Sequence, residues 1–169
     1  MTTDVLQGLA AKQELYELSC RYMRGVDRLD RQLLRSVFHD DAKCDYGFYV
    51  GDPDGFADYA LRALSAHLSN QHLIGNALYE LEGDTAFGEV YFQAYHRIRS
   101  DAGETDLFIA GRYVDRYLRR DGVWRIAFRA EVNDWSRTVP AADGYRQRRP
   151  NANWGARLDD LVYQRERMF

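Results

Sequence analysis

A histidine at the start of an apolar stretch is the residue best suited to acid-base chemistry. His72 lies in the segment Asn70-Gln71-His72-Leu73-Ile74-Gly75-Asn76, which continues as a strand-like run to Leu81. Histidine has an unperturbed pKa near neutrality, so an imidazole among apolar neighbours can take up and return a proton at physiological pH. A lone histidine on an apolar face can also be a hydrogen-bonded core residue, and the spacing alone leaves both interpretations open.

Two further ionisable residues could complete such a site. Asp27 falls near the junction of two predicted helices, where the helix macrodipole disfavours a carboxylate and burial would raise its pKa further. Asp27 is therefore either exposed to solvent or has a functional role that requires this unfavourable position. His96 shares the apolar face of a predicted strand with Val90, Phe92 and Ala94. One carboxylate and two histidines could also bind a metal, but we predict neither a metal nor a cofactor.

The composition narrows the class of protein. A chain of 169 residues predicts one domain with a genuine core. Aromatic residues make up 14%, with twelve tyrosines, and such rings suit a pocket as well as a core. The net charge of -3 argues against a nucleic-acid or membrane surface as the main partner. Only two cysteines occur, without metal-ligand spacing, and no signal peptide is evident, so we predict a cytoplasmic protein.

Apolar periodicity and turn signals predict helices first and a sheet afterwards. The predicted elements are a helix over 4–29, a short helix capped by Asp30, a strand over 42–49, a helix over 55–68, and three long alternating runs that follow the turn signals at 82–84, 101–103 and 121–122. This order predicts an α+β fold in which helices close one face of a curved antiparallel sheet and enclose a pocket. Residues 1–137 form this domain, and 138–169 are predicted to be an arm or lid belonging to it.

The last alternating run predicts which side chains face the core. Trp124, Ile126 and Phe128 share one face, whereas Arg125 and Arg129 share the other. The alternation is not clean, so either face could be partly covered. We predict that Arg112 and Arg129 are charges on the sheet surface, and we assign them no functional role.

The order of elements resembles the SnoaL-like, nuclear transport factor two-like superfamily. The likeness rests on Val37-Phe38, Asp41-Ala42 and Asp121-Gly122-Val123-Trp124-Arg125-Ile126, and covers the chain from about Leu9 to Trp135. It implies a cone-shaped α+β barrel. The superfamily includes dehydratases, isomerases, cyclases, dioxygenase small subunits and non-enzymes, so the fold does not by itself define an activity.

Segments around the predicted pocket resemble three lyases. Gln71-His72-Leu73-Ile74-Gly75, Asp27, Cys44-Asp45-Tyr46 and Ala94-Tyr95-His96-Arg97 are similar to active-site segments of scytalone dehydratase. The run from Arg21 through Tyr22 to Asp27 resembles bile-acid dehydratases. The resemblance to hexachlorocyclohexane dehydrochlorinase rests on Asp27, His72 and Asn76. Together they imply that His72 is a base oriented by Asp27. The implied substrate-binding residues are Tyr46, Tyr22, His96, Tyr91, Tyr113 and Asn76.

The sequence also departs from scytalone dehydratase. Val26 replaces the tyrosine that precedes the aspartate, and Gly111 and Tyr113 replace a serine and an asparagine. Scytalone itself is therefore an unlikely substrate, although Tyr22 or Tyr113 could supply the missing hydroxyl. Because residues in an α-helix follow a 3.6-residue period, Tyr22 and Asp27 converge only if the helix ends or bends near Gly25.

These features predict a cofactor-independent lyase that eliminates water from a hydrophobic aromatic or polycyclic hydroxy compound. A C-C lyase releasing formaldehyde from a lignin-derived diaryl compound, or a double-bond isomerase, would use the same dyad. The non-enzymatic alternative is a small subunit of a ring-hydroxylating dioxygenase or a ligand-binding module. The expected partner is a small hydrophobic molecule, not nucleic acid or a membrane, and the expected assembly is a homodimer or homotrimer.

Overall fold

Six strands form one curved sheet, and three helices pack against it. The computed structural model describes residues 2–142 and 144–168. In chain order the elements are α1 (Thr2–Arg28), α2 (Arg31–Ser36), β1 (Phe38–Asp45), β2 (Val50–Gly51), α3 (Pro53–Ser65), β3 (Ser69–Glu82), β4 (Thr85–Ser100), β5 (Gly103–Arg120), β6 (Val123–Pro140), α4 (Gly144–Arg148) and two short 3-10 helices, Leu161–Tyr163 and Arg165–Met168. This order confirms the predicted α+β cone.

The sheet is mixed, whereas the sequence predicted an antiparallel one. The strand order is β2-β1-β6-β5-β4-β3, and every neighbouring pair is antiparallel except β1 and β6. Local periodicity cannot reveal that β1 pairs in parallel with a strand about eighty residues later in the chain. The three hairpins lie where turn signals predicted them, and the positive φ angles of Gly83, Gly103 and Gly122 fit those turns.

The helices pack through the predicted apolar stripe. Leu15, Leu18, Tyr22 and Val26 of α1 are all buried. The helix continues through Gly25 to Arg28 without ending there. The start of α2 is capped as predicted, because the Asp30 side chain accepts a hydrogen bond from the backbone of α2. No helix within the described ranges is both long and apolar enough to cross a membrane.

A β-bulge in β6 reverses the predicted facing of its second half. Ala127 has no partner on β5, because its two neighbours pair with the consecutive residues Arg116 and Tyr117. One extra residue exchanges the two faces of a strand from that point onward. Phe128 is consequently 39% exposed and Arg129 is fully buried. The prediction that Arg129 is a surface charge is wrong for this reason.

Arg129 is held in the core by an ion pair and two aromatic rings. Its Nε and Nη2 donate to the two carboxylate oxygens of Asp115 at 2.8 and 2.7 Å, and both side chains are fully buried. The guanidinium carbon lies 4.4 Å from the ring centre of Tyr22 and 4.2 Å from that of Tyr113. The bidentate ion pair and the cation-π contacts offset the cost of burying the charge.

The segment after β6 packs against the ends of two helices. Arg157 donates hydrogen bonds to three backbone carbonyls there, those of Asp27, Leu64 and His67. Arg28 of α1 in turn pairs with Asp160 at 2.9 Å. The segment is therefore attached beside Asp27, and its predicted role as an arm or lid remains a prediction.

Candidate active site

Asp27 and His72 are in direct contact. The His72 imidazole Nδ1 lies 2.7 Å from one carboxylate oxygen of Asp27, and the His72 backbone N–H donates to the other oxygen at 3.0 Å. Both side chains are only about 10% exposed. The carboxylate oxygen accepts this hydrogen bond, so Nδ1 is the donor, and in the neutral form of the imidazole Nε2 carries the lone pair. This is the tautomer that a general base requires.

The last turn of α1 positions the carboxylate. Packing of α1 against α2 is close at Gly25, where a Cβ would lie 2.8 Å from backbone atoms of Leu34. Asp27 therefore reaches the start of β3 from a helix C-terminus, a position that disfavours negative charge. The two hydrogen bonds from His72 offset that cost. No bend at Gly25 is needed, because Tyr22 and His72 line the same cavity from different elements.

Asn70 fixes the protonation of two other histidines. Its side-chain amide donates to the backbone carbonyl of Leu64 at 3.3 Å, so its oxygen faces the rings. That oxygen lies 2.9 Å from Nδ1 of His67 and 2.9 Å from Nδ1 of His96. Since the amide oxygen can only accept, both rings are protonated at Nδ1. The Nε2 of His96 is therefore a hydrogen-bond acceptor.

His96 is held neutral. Its ring centre lies 5.2 Å from that of His72 and 5.0 Å from that of His67. Burial lowers the pKa of His96 to about 3, and the two neighbouring imidazoles contribute to the decrease. At neutral pH His96 can bind a hydroxyl through its Nε2 lone pair, but it brings no positive charge to an oxygen.

An aromatic cavity adjoins the two histidines. It has a volume of about 130 Å³. The residues lining it are Tyr22, Val26, Tyr46, Phe48, Phe56, Tyr59, Ala60, Ala63, Leu64, His72, Phe92, Ala94, His96, Ile109, Tyr113 and Glu131. Tyr46 stacks on Phe56 with ring centres 4.0 Å apart. The Tyr22 hydroxyl donates to the Tyr46 hydroxyl at 3.0 Å, which leaves the Tyr46 proton for another acceptor. Burial raises the pKa of Tyr46 and Tyr113 well above the ordinary value, so both phenols stay protonated.

One carboxyl group in this cavity was not singled out from the sequence. Glu131 lies two residues after Arg129 on β6, so the bulge at Ala127 turns it toward the cavity as well. Burial raises the pKa of Glu131, whereas hydrogen bonding to Asn133 and the nearby His72 and Arg129 oppose the increase. The sequence carries no sign of this placement, because uninterrupted alternation assigns Glu131 to the outer face.

Tyr91 and Asn76 do not reach the cavity, and their predicted place in it is corrected. Both line a groove on the other side of the sheet, together with Trp135. Tyr91 alternates away from the inward-facing residues of β4 and is 40% exposed. Asn76 is turned outward because β3 gains one residue between Ile74 and Ala77 relative to β4. The other predicted residues, Tyr22, Tyr46, His96 and Tyr113, do line the cavity with His72.

Asn70 is a second residue that the sequence analysis did not assign, although a signal for it exists. It precedes His72 by two residues, so strand alternation places both on the same face of β3. Within the described ranges, no group of three or more His, Cys, Asp or Glu residues is arranged to hold a metal ion. The protein is thus an α+β cone whose cavity carries an oriented imidazole, phenols and a carboxyl group.

Comparison with known proteins supplies the family. Residues 7–130 match the SnoaL-like domain family, and the chain belongs to it. No curated protein matches the sequence.

Solved structures share this fold. A hexachlorocyclohexane dehydrochlorinase, LinA Type2, is 24% identical with a TM-score of 0.74, over 83% of this chain and 98% of that one. A scytalone dehydratase candidate from Novosphingobium aromaticivorans is 16% identical with a TM-score of 0.71, over 84% and 94%. A protein of unknown function from Mycobacterium tuberculosis is 27% identical with a TM-score of 0.65, over 77% and 75%. The fold is therefore one that lyases use.

Proposed function

We propose that this protein is a cofactor-independent lyase that eliminates water from a small aromatic hydroxy compound. The observation that carries the proposal is the contact between Asp27 and His72 at the wall of an aromatic cavity. In the neutral imidazole this contact places the proton on Nδ1, so Nε2 carries the lone pair. Such a nitrogen is a general base, a role that typically contributes about 10² to 10⁴ in rate.

The reaction follows from the placement of the polar groups. His72 removes a proton from a carbon next to a carbonyl group, and Asp27 stabilises the imidazolium that forms. The Tyr46 hydroxyl, whose proton is not used in its bond with Tyr22, donates to the carbonyl oxygen as negative charge develops there. Nε2 of His96 accepts a hydrogen bond from a substrate hydroxyl, which orients the molecule against the base.

The cavity supports a substrate with one ring. A volume of about 130 Å³ is well below the range of roughly 300 to 1,000 Å³ that is common for sites holding drug-sized ligands. Two stacked ring pairs line the cavity, Tyr46 with Phe56 and Phe92 with Tyr113. Of the aromatic and polycyclic compounds that the sequence allowed, we propose the smaller, single-ring class.

The same dyad would serve the other reactions considered above. A C-C lyase would use His72 to remove the proton of a hydroxyl group, and an isomerase would return the proton to another carbon. A non-catalytic subunit or binding module would retain the cavity without turnover. Mass analysis of the product separates the three reactions, because they lose water, lose a carbon fragment, or leave the mass unchanged. A non-catalytic protein also leaves the mass unchanged, but unlike an isomerase it leaves the position of the double bond unchanged as well. A homodimer or homotrimer remains the expected assembly.

A suitable test substrate is the aldol of benzaldehyde and acetone. Dehydration yields benzalacetone, whereas C-C cleavage yields benzaldehyde and acetone. We expect His72→Ala to lower the rate of benzalacetone formation by about 10² to 10⁴ because the base is lost. Asp27→Asn should have an effect of similar size, since an amide cannot accept from both the imidazole and the backbone N–H.

The matched control is Asp30→Asn, three residues along the chain. Asparagine caps a helix as well as aspartate does, so activity should remain near that of the natural protein. Circular dichroism would establish that all three variants are folded. Near-normal dehydration by folded His72→Ala would contradict the proposal, and benzaldehyde as the main product would favour the C-C lyase.

A further inference from the structure

Glu131 is a cavity residue that can supply the proton donor missing from the proposed dehydration. Hydroxide is a poor leaving group, so elimination of water requires an acid that protonates the departing oxygen. His72 is occupied as the base. His96 cannot donate, because its single N–H is directed at Asn70 and its Nε2 is an acceptor. Among the described cavity-lining side chains, the four phenols and Glu131 are the remaining proton donors.

We propose that Glu131 is the catalytic acid that protonates the leaving hydroxyl, and that the substrates are therefore β-hydroxy carbonyl compounds rather than halides. The proposal rests on the proposed function. A halide departs without a proton, so a carboxylic acid in the cavity has no use in dehydrohalogenation. The alcohol is the leaving group for which this residue supplies the missing proton.

The surroundings of Glu131 suit an acid. It pairs across the sheet with Tyr113, and both residues line the cavity. Burial raises its pKa and keeps the acid protonated to higher pH than an exposed glutamate. Burial also raises the pKa of Tyr22, Tyr46 and Tyr113, which makes those phenols weaker acids.

The proton balance closes without a further reagent. His72 takes the proton from carbon, and the electron pair of that C–H bond forms the new double bond. The C–O bond breaks, its electron pair stays on oxygen, and the Glu131 proton joins that oxygen to release water. Imidazolium and carboxylate remain, and transfer of one proton between them restores the starting state.

The first experiment compares two substrates that give the same product. The aldol of benzaldehyde and acetone loses water, whereas its acetate ester loses acetate, which needs no proton. Glu131→Gln keeps the shape and removes the acid. We expect the variant to lose about 10² to 10⁴ in rate on the alcohol and less than about tenfold on the ester. Glu80→Gln, on the exposed surface of β3, is the matched control and should change neither rate.

Equal losses on both substrates, or none on the alcohol, would overturn the role of Glu131. His72→Ala should slow both substrates, which tests the base separately. If the natural protein converts the ester but not the alcohol, the acid role of Glu131 is contradicted and the base role of His72 is supported. Turnover of neither substrate would overturn the proposed elimination for this class.

The second experiment needs no substrate. Infrared difference spectra between the natural protein and Glu131→Gln report whether this carboxyl is protonated. We expect its carboxylic-acid band to persist to higher pH than that of an exposed glutamate, whose pKa is about 4.3. Ionisation at the same pH as an exposed glutamate, or at lower pH, would overturn the proposal, whatever the outcome with the two substrates.

Discussion

At the scale of single residues, the hydrogen bonds decide which group accepts and which donates. Asp27 forces the His72 proton onto Nδ1, and Asn70 does the same for His96. The two imidazoles lie close together, but their hydrogen-bond partners differ. His72 contacts a carboxylate, whereas His96 contacts an amide oxygen and is kept neutral by its burial.

The neutral state of His96 makes stability depend on pH. Its pKa is about 3 in the folded protein and about 6.5 in an unfolded chain. Below about pH 6.5 the unfolded state therefore binds a proton that the folded state does not, so stability falls as the pH falls toward 3. The slope from this group is at most about 1.4 kcal/mol per pH unit.

His96→Asn removes the titration and keeps an N–H that can reach Asn70. We expect urea unfolding midpoints of the natural protein to decrease more between about pH 7 and 5 than those of the variant. Glu131 has the opposite effect on the pH dependence of stability, because burial raises its pKa. Since Glu131 is present in both proteins, its contribution cancels in the comparison. Equal decreases in both proteins would contradict the assignment of a neutral, buried His96.

At the scale of elements, β-bulges control which residues enter the cavity. The bulge at Ala127 brings Arg129 and Glu131 inward, and the irregularity after Ile74 turns Asn76 outward. A further register shift between β5 and β6 occurs beside Gly111. The first two irregularities therefore determine which side of the sheet Arg129, Glu131 and Asn76 face.

Gly111 is required by the close approach of β6. A Cβ at this position would lie 2.1 Å from the carbonyl oxygen of Val132, a backbone atom that cannot easily move. We expect Gly111→Ala to lower the free energy of unfolding by about 1 to 3 kcal/mol through overpacking. Gly75→Ala on β3 is the control, because its Cβ would meet nothing closer than 3.5 Å. Chemical denaturation measures both, and equal stability of the two variants would contradict the argument.

At the scale of the whole molecule, the C-terminal segment joins the parts that carry the dyad. Arg157 bonds the carbonyl of Asp27 at the end of α1 and the carbonyls of Leu64 and His67 at the end of α3. The Leu64 carbonyl also accepts hydrogen bonds from the His67 backbone N–H and the Asn70 side chain, so Arg157 adds a further partner there. A residue far along the chain thus completes the ends of both helices.

Arg157→Ala should release this segment before the domain unfolds. The variant loses the three hydrogen bonds that attach the segment to the ends of α1 and α3, so we expect faster tryptic cleavage after Pro140 with little change in the rest of the chain. Arg165→Ala, which removes an exposed arginine of the same segment, is the control. A cleavage rate equal to that of the natural protein would show that Arg157 does not anchor the segment.

The sequence predicted the three main helices and the long strands in their order, although the first strand spans Phe38–Asp45 and not 42–49. The stripe on α1, the cap at Asp30 and the glycines at the hairpin turns are local signals, since each depends on residues a few positions apart. His72 and Asp27 were also identified before the structure, through their resemblance to known segments. Their 2.7 Å contact belongs to the tertiary structure, because it joins a helix end to a strand 45 residues later.

Only the tertiary structure decided what faces the cavity beyond each bulge. Alternation predicts facing as long as the register between strands stays constant, and register is set by pairing with a distant strand. Arg129 was therefore assigned to the surface and Glu131 was passed over, although both turn inward after Ala127. The parallel pairing of β1 with β6 is equally non-local. The sequence identified the base and its orienting carboxylate, and the fold added the carboxyl group for which we propose the acid role.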